Sequence, residues 1–198
     1  MIDSKFSLDE QLKQFRDSRF IAMPLAGTIA WAGIGLVGAF GSLSAAVWAI
    51  FIGTGLIFYL GVAVGKLIGE DVLGKEKRGN SFDRIFLLTA VQAIAVYSIA
   101  IPFFQQEVSS LPMSVGVLTG LMWIPFSALA GHWVGLFHGI ARTVLIVAIY
   151  YAMPDHRFVA IPAAIVGLYL ITIIILVGRY RTIESGREPT DSVEIKAG

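Results

Sequence analysis

Cysteine is absent from this chain, which excludes structural disulfides, thiolate metal sites and thioether-linked haem. Acidic residues are missing from every long apolar run; the fourteen Asp and Glu fall between or beyond them. Proton-coupled pumps and many cation transporters use a carboxylate inside the membrane, so that chemistry has no obvious carrier here. No GxSxG occurs and no nucleophile stands beside a base in the sequence. His132 and His138 lack a third ligand and, six apart, face different ways on one helix. The expectation is therefore no enzyme, no metal and no cofactor. A net charge of +1 gives no reason to expect a nucleic-acid partner.

Charge of either sign is scarcest in Met113–Met153, where Arg142 is the one formally charged residue among 41. A bilayer core takes ~20 apolar residues per helix, so this run makes two spans with almost nothing left for a turn. Arg142 then lies eleven residues back from Met153. At ~1.5 Å per residue that is roughly 16 Å deep, near the middle of a core roughly 30 Å thick.

What the chain has in abundance is apolar surface. Of its 198 residues 56% are hydrophobic and 15% charged, with a mean hydropathy of +0.76, outside ordinary soluble composition. The pattern predicts an all-α, polytopic membrane protein. Six spans are expected in residues 20–178, at about 20–40, 45–67, 85–104, 113–131, 134–153 and 158–177. Residues 1–19 precede them as a short amphipathic helix, and 179–198 follow as a polar tail expected to be disordered. The first apolar run is too long for a cleavable signal and lacks a small-residue cleavage pattern, so it reads as an anchor that stays.

The leading helix carries a capping box, Ser7 with Glu10. Leu8, Leu12 and Phe15 share one face, fit either to lie flat among lipid headgroups or to pack on the bundle. The N-terminal segment, residues 66–84 and the tail hold thirteen of the fifteen Lys and Arg. Basic segments stay cytoplasmic, so both termini are expected inside a bacterial inner membrane. Gly69–Lys75 matches GxxxxGK, but Glu76 replaces the required Ser/Thr, no strand precedes it, and Glu70 and Asp71 would repel phosphate.

Small residues four apart let helix backbones approach where water cannot drive association. Gly61 with Gly65 and Gly116 with Gly120 fit that pattern and could serve a homo-oligomer; Gly135 and Gly139 belong to span five. Pro125, in mid-span, predicts a kink. Arg142 shares a face with Gly135, His138 and Gly139, which turns it toward the bundle interior rather than lipid. Its candidate partners are Asp71, Asp83, the carbonyl freed by Pro125, Gln92 or a bound anion. Two readings follow. In one, Arg142, His138, His132, Trp133 and Gln92 form a cytoplasm-facing pocket for an anionic lipid headgroup or small anionic solute, because guanidinium binds phosphate or carboxylate through paired hydrogen bonds. In the other, Arg142 snorkels or is satisfied internally, and the protein is a structural or interaction component with no ligand. The remaining Trp and Tyr, among them Trp123 and Tyr169, are expected to anchor at the membrane interfaces.

Two stretches, Leu8-Asp-Glu-Gln-Leu through Met23-Pro-Leu-Ala-Gly-Thr-Ile-Ala-Trp31 and Thr119-Gly-Leu-Met-Trp-Ile-Pro-Phe126, resemble an uncharacterised family of small bacterial integral membrane proteins, a domain of unknown function. The resemblance implies a six-span fold in a bacterial inner membrane and no established activity. Where relatives of that pattern carry histidine this chain has Met122, so no role of that histidine transfers. Gly27-Thr28…Trp31 and Thr119-Gly120…Trp123 also echo each other from spans entering on opposite sides, the arrangement of inverted-repeat transporters.

Overall fold

The computed structural model describes residues 6–72 and 80–186, apart from the side chains of residues 90, 93 and 94, and every regular element among them is helical. The elements are α1 (Leu8–Arg16), α2 (Ala22–Phe40), α3 (Leu43–Ile68), α4 (Ser81–Ala95), α5 (Tyr97–Gln106), α6 (Leu111–Gly120), α7 (Trp123–Ala130), α8 (Val134–Ala152) and α9 (Arg157–Ser185), with short 3-10 turns at Val108–Ser110 and Pro154–His156. Five stretches are long and apolar enough to cross a membrane: Ala22–Phe40, Leu43–Ile68, Val108–Ala130, Val134–Ala152 and Pro154–Ser185. The protein is thus all-α and multi-pass by helix composition.

The expected third span, 85–104, is not one helix. It divides at Val96 into α4 and α5, where the Ser98 hydroxyl donates to the Ala95 carbonyl at 2.7 Å and the Tyr97 hydroxyl turns to Thr54 on α3. The fourth is also interrupted, at Leu121–Met122. Pro125 lies one turn later, and a proline can neither donate to the carbonyl four residues back, that of Leu121, nor sit against it without a clash. Residues 179–185, expected to open a disordered tail, are the last turns of α9; residues 187–198 lie outside the described ones, as does Lys75 of the GxxxxGK match.

The paired glycines are used within the chain. A Cβ on Gly61 would collide with the Met23 sulfur, and one on Gly65 would lie 2.7 Å from the Glu70 carbonyl and 2.5 Å from Val72. A Cβ on Gly116 would meet Ile146 at 2.9 Å, and one on Gly120 the Arg142 side chain at 2.8 Å. All four glycines are buried. These pairs therefore bring α2 to α3 and α6 to α8, with their near sides filled by residues of the same chain. Gly135 and Gly139 do the same for α8 against α7, facing the Trp123 carbonyl and Ile124. In turn α2 lies on α9 through Gly27 opposite Tyr169, Gly35 opposite Pro162 and Gly38 opposite the Phe158 carbonyl.

Helix α1 packs on the bundle rather than lying free of it. Ser7 and Glu10 form the reciprocal capping box. Phe15 is buried among Phe20, Phe82 and Phe86. Gln11 Oε1 accepts from the Ser81 backbone at 2.8 Å, and Asn80 Nδ2 donates to the Gln11 carbonyl at 2.8 Å, so α1 supplies partners to the otherwise open N-terminus of α4. Arg16 Nε donates to the Leu129 carbonyl at 3.2 Å, and Arg179 reaches the Ser18 and Arg16 carbonyls. Glu70, beyond α3, accepts from the Ile21 and Ala22 backbone at 3.0 and 3.1 Å, placing a carboxylate at the positive end of α2. One end of the bundle therefore gathers α1, residues 69–72, the α7–α8 turn and the last turns of α9. The opposite end joins residue Ser109 to Arg157, whose Nε also donates to the Tyr150 carbonyl at 2.8 Å.

Candidate functional site

Arg142 occupies the middle of α8, eight residues from its first and ten from its last, and is 1% exposed. Its guanidinium reaches three elements. Nε donates to the Gly116 carbonyl at 2.8 Å, Nη1 to the Tyr169 hydroxyl at 3.1 Å and Nη2 to the Thr119 hydroxyl at 3.1 Å. The Trp31 and Tyr169 rings each lie 5.5 Å from Cζ, within cation–π range. No carboxylate is among these partners, so Asp71, Asp83 and the Leu121 carbonyl are not what satisfies the cation. A buried charge is tolerated in a bundle interior when polar oxygens surround it, and Gly120 gives its side chain room.

His138, one turn before Arg142, is fully buried. Thr172 donates its single proton to the Leu168 carbonyl at 2.8 Å, so at 2.7 Å it accepts from His138 Nδ1. That assignment leaves Nε2 as a lone pair, and it has no hydrogen-bond partner among the described residues. The imidazole lies 4.4 Å from the Trp123 ring and 4.8 Å from Tyr169, centroid to centroid. Trp31 Nε1 is likewise buried and unpartnered.

The other expected members lie apart. Trp133, at the α7–α8 turn, is 57% exposed and stacks on His132 at 5.6 Å. His132 Nδ1 accepts from the Val134 backbone at 3.2 Å, so this pair serves the start of α8, more than two turns from Arg142. Gln92 is exposed on α4. Only Arg142 and His138 of the expected set belong to one cluster.

The sequence reading missed Tyr169, Trp123, Thr119, Thr172 and Trp31. Tyr169 and Trp123 were expected at interfaces, yet are 6% and 8% exposed inside the bundle. A signal was present: Tyr169 and Thr172 lie eleven and fourteen residues into the run starting at Phe158, and Thr119 six into that starting at Met113. Polar groups at that depth need partners, and these find them in Arg142 and His138.

From the α1 end a cavity of about 270 Å3 leads down to this cluster; Tyr169 and Trp123 form part of its wall, with Phe126, Met122 and Pro24. Nearer the bundle end it is bordered by Asp17, Glu70, Asp71, Asp83 and Arg19. Arg19 lies 4.8 Å from the Tyr180 ring, and its hydrogen bond to Tyr180 raises its pKa. Tyr169 thus has two faces: Arg142 donates to its oxygen, while its own O–H, in a residue lining the cavity, has no acceptor among the described residues.

No curated protein and no solved structure matches the chain. A family of unknown function, DUF7010, matches residues 11–179, from within α1 to the last turns of α9. The multi-pass helical chain with an arginine sealed in its core therefore belongs to the DUF7010 family.

Proposed function

We propose that the protein binds a small solute in the cavity at its α1 end and carries it across a bacterial inner membrane, acting as a carrier rather than an enzyme. The observation that supports this is the double role of Tyr169, which lines the cavity and takes a hydrogen bond from Arg142. A phenol beside a guanidinium is a strengthened donor. Its free O–H would meet a carboxylate, phosphate or carbonyl oxygen of the solute, with the Arg142 charge favouring an anionic group. A cavity near 270 Å3 falls at the small end of ligand sites, which favours a metabolite-sized solute over a lipid tail. Interrupted helices beside a site at mid-depth are a transporter feature; here α6 and α7 part at Leu121–Met122, next to Trp123.

On this reading α4 and α5 together make a sixth crossing, with both termini cytoplasmic. One contact supports that parity. Arg179 near the end of α9 reaches Ser18 before α2. An even number of crossings brings those ends together, and five would not. The described basic residues Lys13, Arg16, Arg19, Lys66, Arg84, Arg179 and Arg181 belong to that same end, the cytoplasmic one by charge bias.

The test uses the full chain in lipid nanodiscs, titrated with small carboxylates, phosphates and amino acids and followed by tryptophan fluorescence. At least one is expected to bind, and Tyr169→Phe to weaken it about tenfold or more, since a hydrogen bond to a charged group contributes ~1.5–3 kcal/mol. Uptake of that solute into proteoliposomes tests transport. Binding by none, or equal binding by Tyr169→Phe, supports instead a structural protein in which Arg142 only ties helices together.

A further inference from the structure

Between the charged residues at its opening and Tyr169 at its floor, the cavity is walled by rings. Phe15, Phe20, Phe86, Phe126 and Trp123 border it together with Tyr169, and the six form an unbroken chain of contacts. Phe15 lies 4.9 Å from Phe20 and 6.3 Å from Phe86, centroid to centroid. Phe126 joins Phe20 at 5.0 Å, Phe86 at 5.7 Å and Trp123 at 5.3 Å, and Trp123 lies 6.1 Å from Tyr169. They come from α1, the link between α1 and α2, α4, α7 and α9. No single apolar stripe of one helix accounts for such a gathering; the fold brings the rings together from five places in the chain.

Phe20 and Phe86 are only half-buried, as is Met122 at the break between α6 and α7, whose thioether adapts to ring edges. Phe20 also stands at φ 59°, a left-handed conformation that bulky residues rarely adopt; strain of this kind collects at ligand sites. Size narrows the occupant further. An apolar void of about 150 Å3 holds benzene, so about 270 Å3 takes one six-membered ring with an arm of a few atoms. The independent pointer to a ligand is Tyr169, over nine-tenths buried at the cavity floor, with its proton unaccepted among the described residues.

We infer that the solute is a compound of one aromatic ring and a short arm ending in an oxygen acceptor, the ring lying among those of the wall and the oxygen accepting from Tyr169. This rests on the cavity being the binding site, as proposed above, and adds the class of the occupant. Ring faces are electron-rich and ring edges electron-poor, so an aromatic guest gains edge-to-face contacts that a saturated one lacks. An aryl carboxylic acid is the simplest member of the class.

Two probes, 3-phenylpropionate and 3-cyclohexylpropionate, share charge, arm and carboxylate and differ only in the ring, so charged groups at the opening act on both alike. Propionate supplies the arm without a ring. Each is titrated by calorimetry into the full chain in nanodiscs of neutral lipid, with the heat from empty nanodiscs subtracted. The phenyl compound is expected to bind about threefold or more tighter than the cyclohexyl one, although the latter is the more hydrophobic, and about tenfold or more tighter than propionate. Phe20→Leu and Phe86→Leu, which keep the wall apolar, are each expected to bring the phenyl-to-cyclohexyl ratio to about one. Equal or tighter binding of the cyclohexyl compound, or a ratio that survives both variants, overturns the aromatic assignment and leaves the cavity as an oxygen-binding site. The comparison in the unaltered chain requires no variant to fold. Tyr169→Phe is expected to weaken both ring compounds by a similar factor; if it weakens neither, Tyr169 as the oxygen contact falls while the ring assignment stands. Binding of none of the three probes overturns the inference, and the phosphates and amino acids then decide whether the cavity as a binding site falls with it.

Discussion

At the scale of single residues, space around Arg142 is set by what Gly120 lacks. A Cβ there would lie 2.8 Å from Arg142 Cδ and 3.0 Å from Nε, and the three hydrogen bonds of the guanidinium leave the side chain little freedom to yield. Gly120→Ala is expected to cost ~1–3 kcal/mol, the usual penalty for overpacking, seen as a lower Tm. Gly33→Ala is the control, because nothing lies within 4 Å of its added Cβ and alanine favours a helix interior by ~0.5–1 kcal/mol. A second prediction concerns pH. Partial burial, followed by the nearby Arg179 charge, holds His132 below its ordinary pKa. The unfolded chain therefore takes up a proton first as pH falls through about 6.5, and stability drops below that value while remaining flat above it. The protonated ring also cannot accept from Val134, a bond that His132→Asn is placed to keep. Between about pH 7.5 and 5.5 the wild type is expected to lose ~1–2 °C more of Tm than H132N, since ~1 kcal/mol shifts a protein of this size by ~2–4 °C. The depth of Arg142 was legible because a run of 41 residues with no other formal charge leaves it nowhere else to go. Its partners were not, because Gly116, Thr119 and Tyr169 lie 23 to 27 residues away, and spacing along one helix carries no trace of its neighbours.

At the scale of elements, the legible features were those with a local cause. Ser7 and Glu10 announce the start of α1, and apolar length announces α2, α3, α8 and most of α9. The seat of α1 was not legible, since the same amphipathic face suits a membrane surface or a protein groove; long-range bonds from Gln11 and the burial of Phe15 decide it. Phe15→Ala is expected to cost ~3–5 kcal/mol, the range for a fully buried aromatic. Because α1 also completes the α4 N-terminus, hydrogen exchange is expected to quicken in residues 81–84 as well as 8–16. Unchanged exchange at 81–84 would mean that α4 begins without help from α1. The break at Val96 has no glycine or proline beside it, so the run 85–104 read as continuous. What stands at the break instead is the Tyr97–Thr54 contact with α3 and the Ser98 bond to the Ala95 carbonyl. The same distinction explains the glycine pairs: GxxxG says that a backbone comes close, but not whose, and here it belongs to the same chain.

At the scale of the whole molecule, the question is how many times the chain crosses, and absent cysteines make it directly measurable. Helix α9, 29 residues long, spans ~44 Å at 1.5 Å per residue, more than a core of roughly 30 Å needs. Its surplus turns carry Arg179 and Tyr180 to the α1 end, where they meet Ser18 and Arg19. With α4 and α5 counted together as a crossing, the turns at Ser42, Ser109 and Asp155 fall on one side of the membrane, and Ser7, His132 and Ser185 on the other. Single variants Ser7→Cys, Ser42→Cys, Asp155→Cys and Ser185→Cys are each to be treated in whole cells with a membrane-impermeant maleimide. Labelling is expected at 42 and 155 before lysis, and at 7 and 185 only afterwards. If 7 and 185 label on opposite sides, α4 and α5 do not cross. The bonds from Arg179 to the residues before α2 would then have to break in the membrane, and the cavity they help to close would lose its Tyr180 wall.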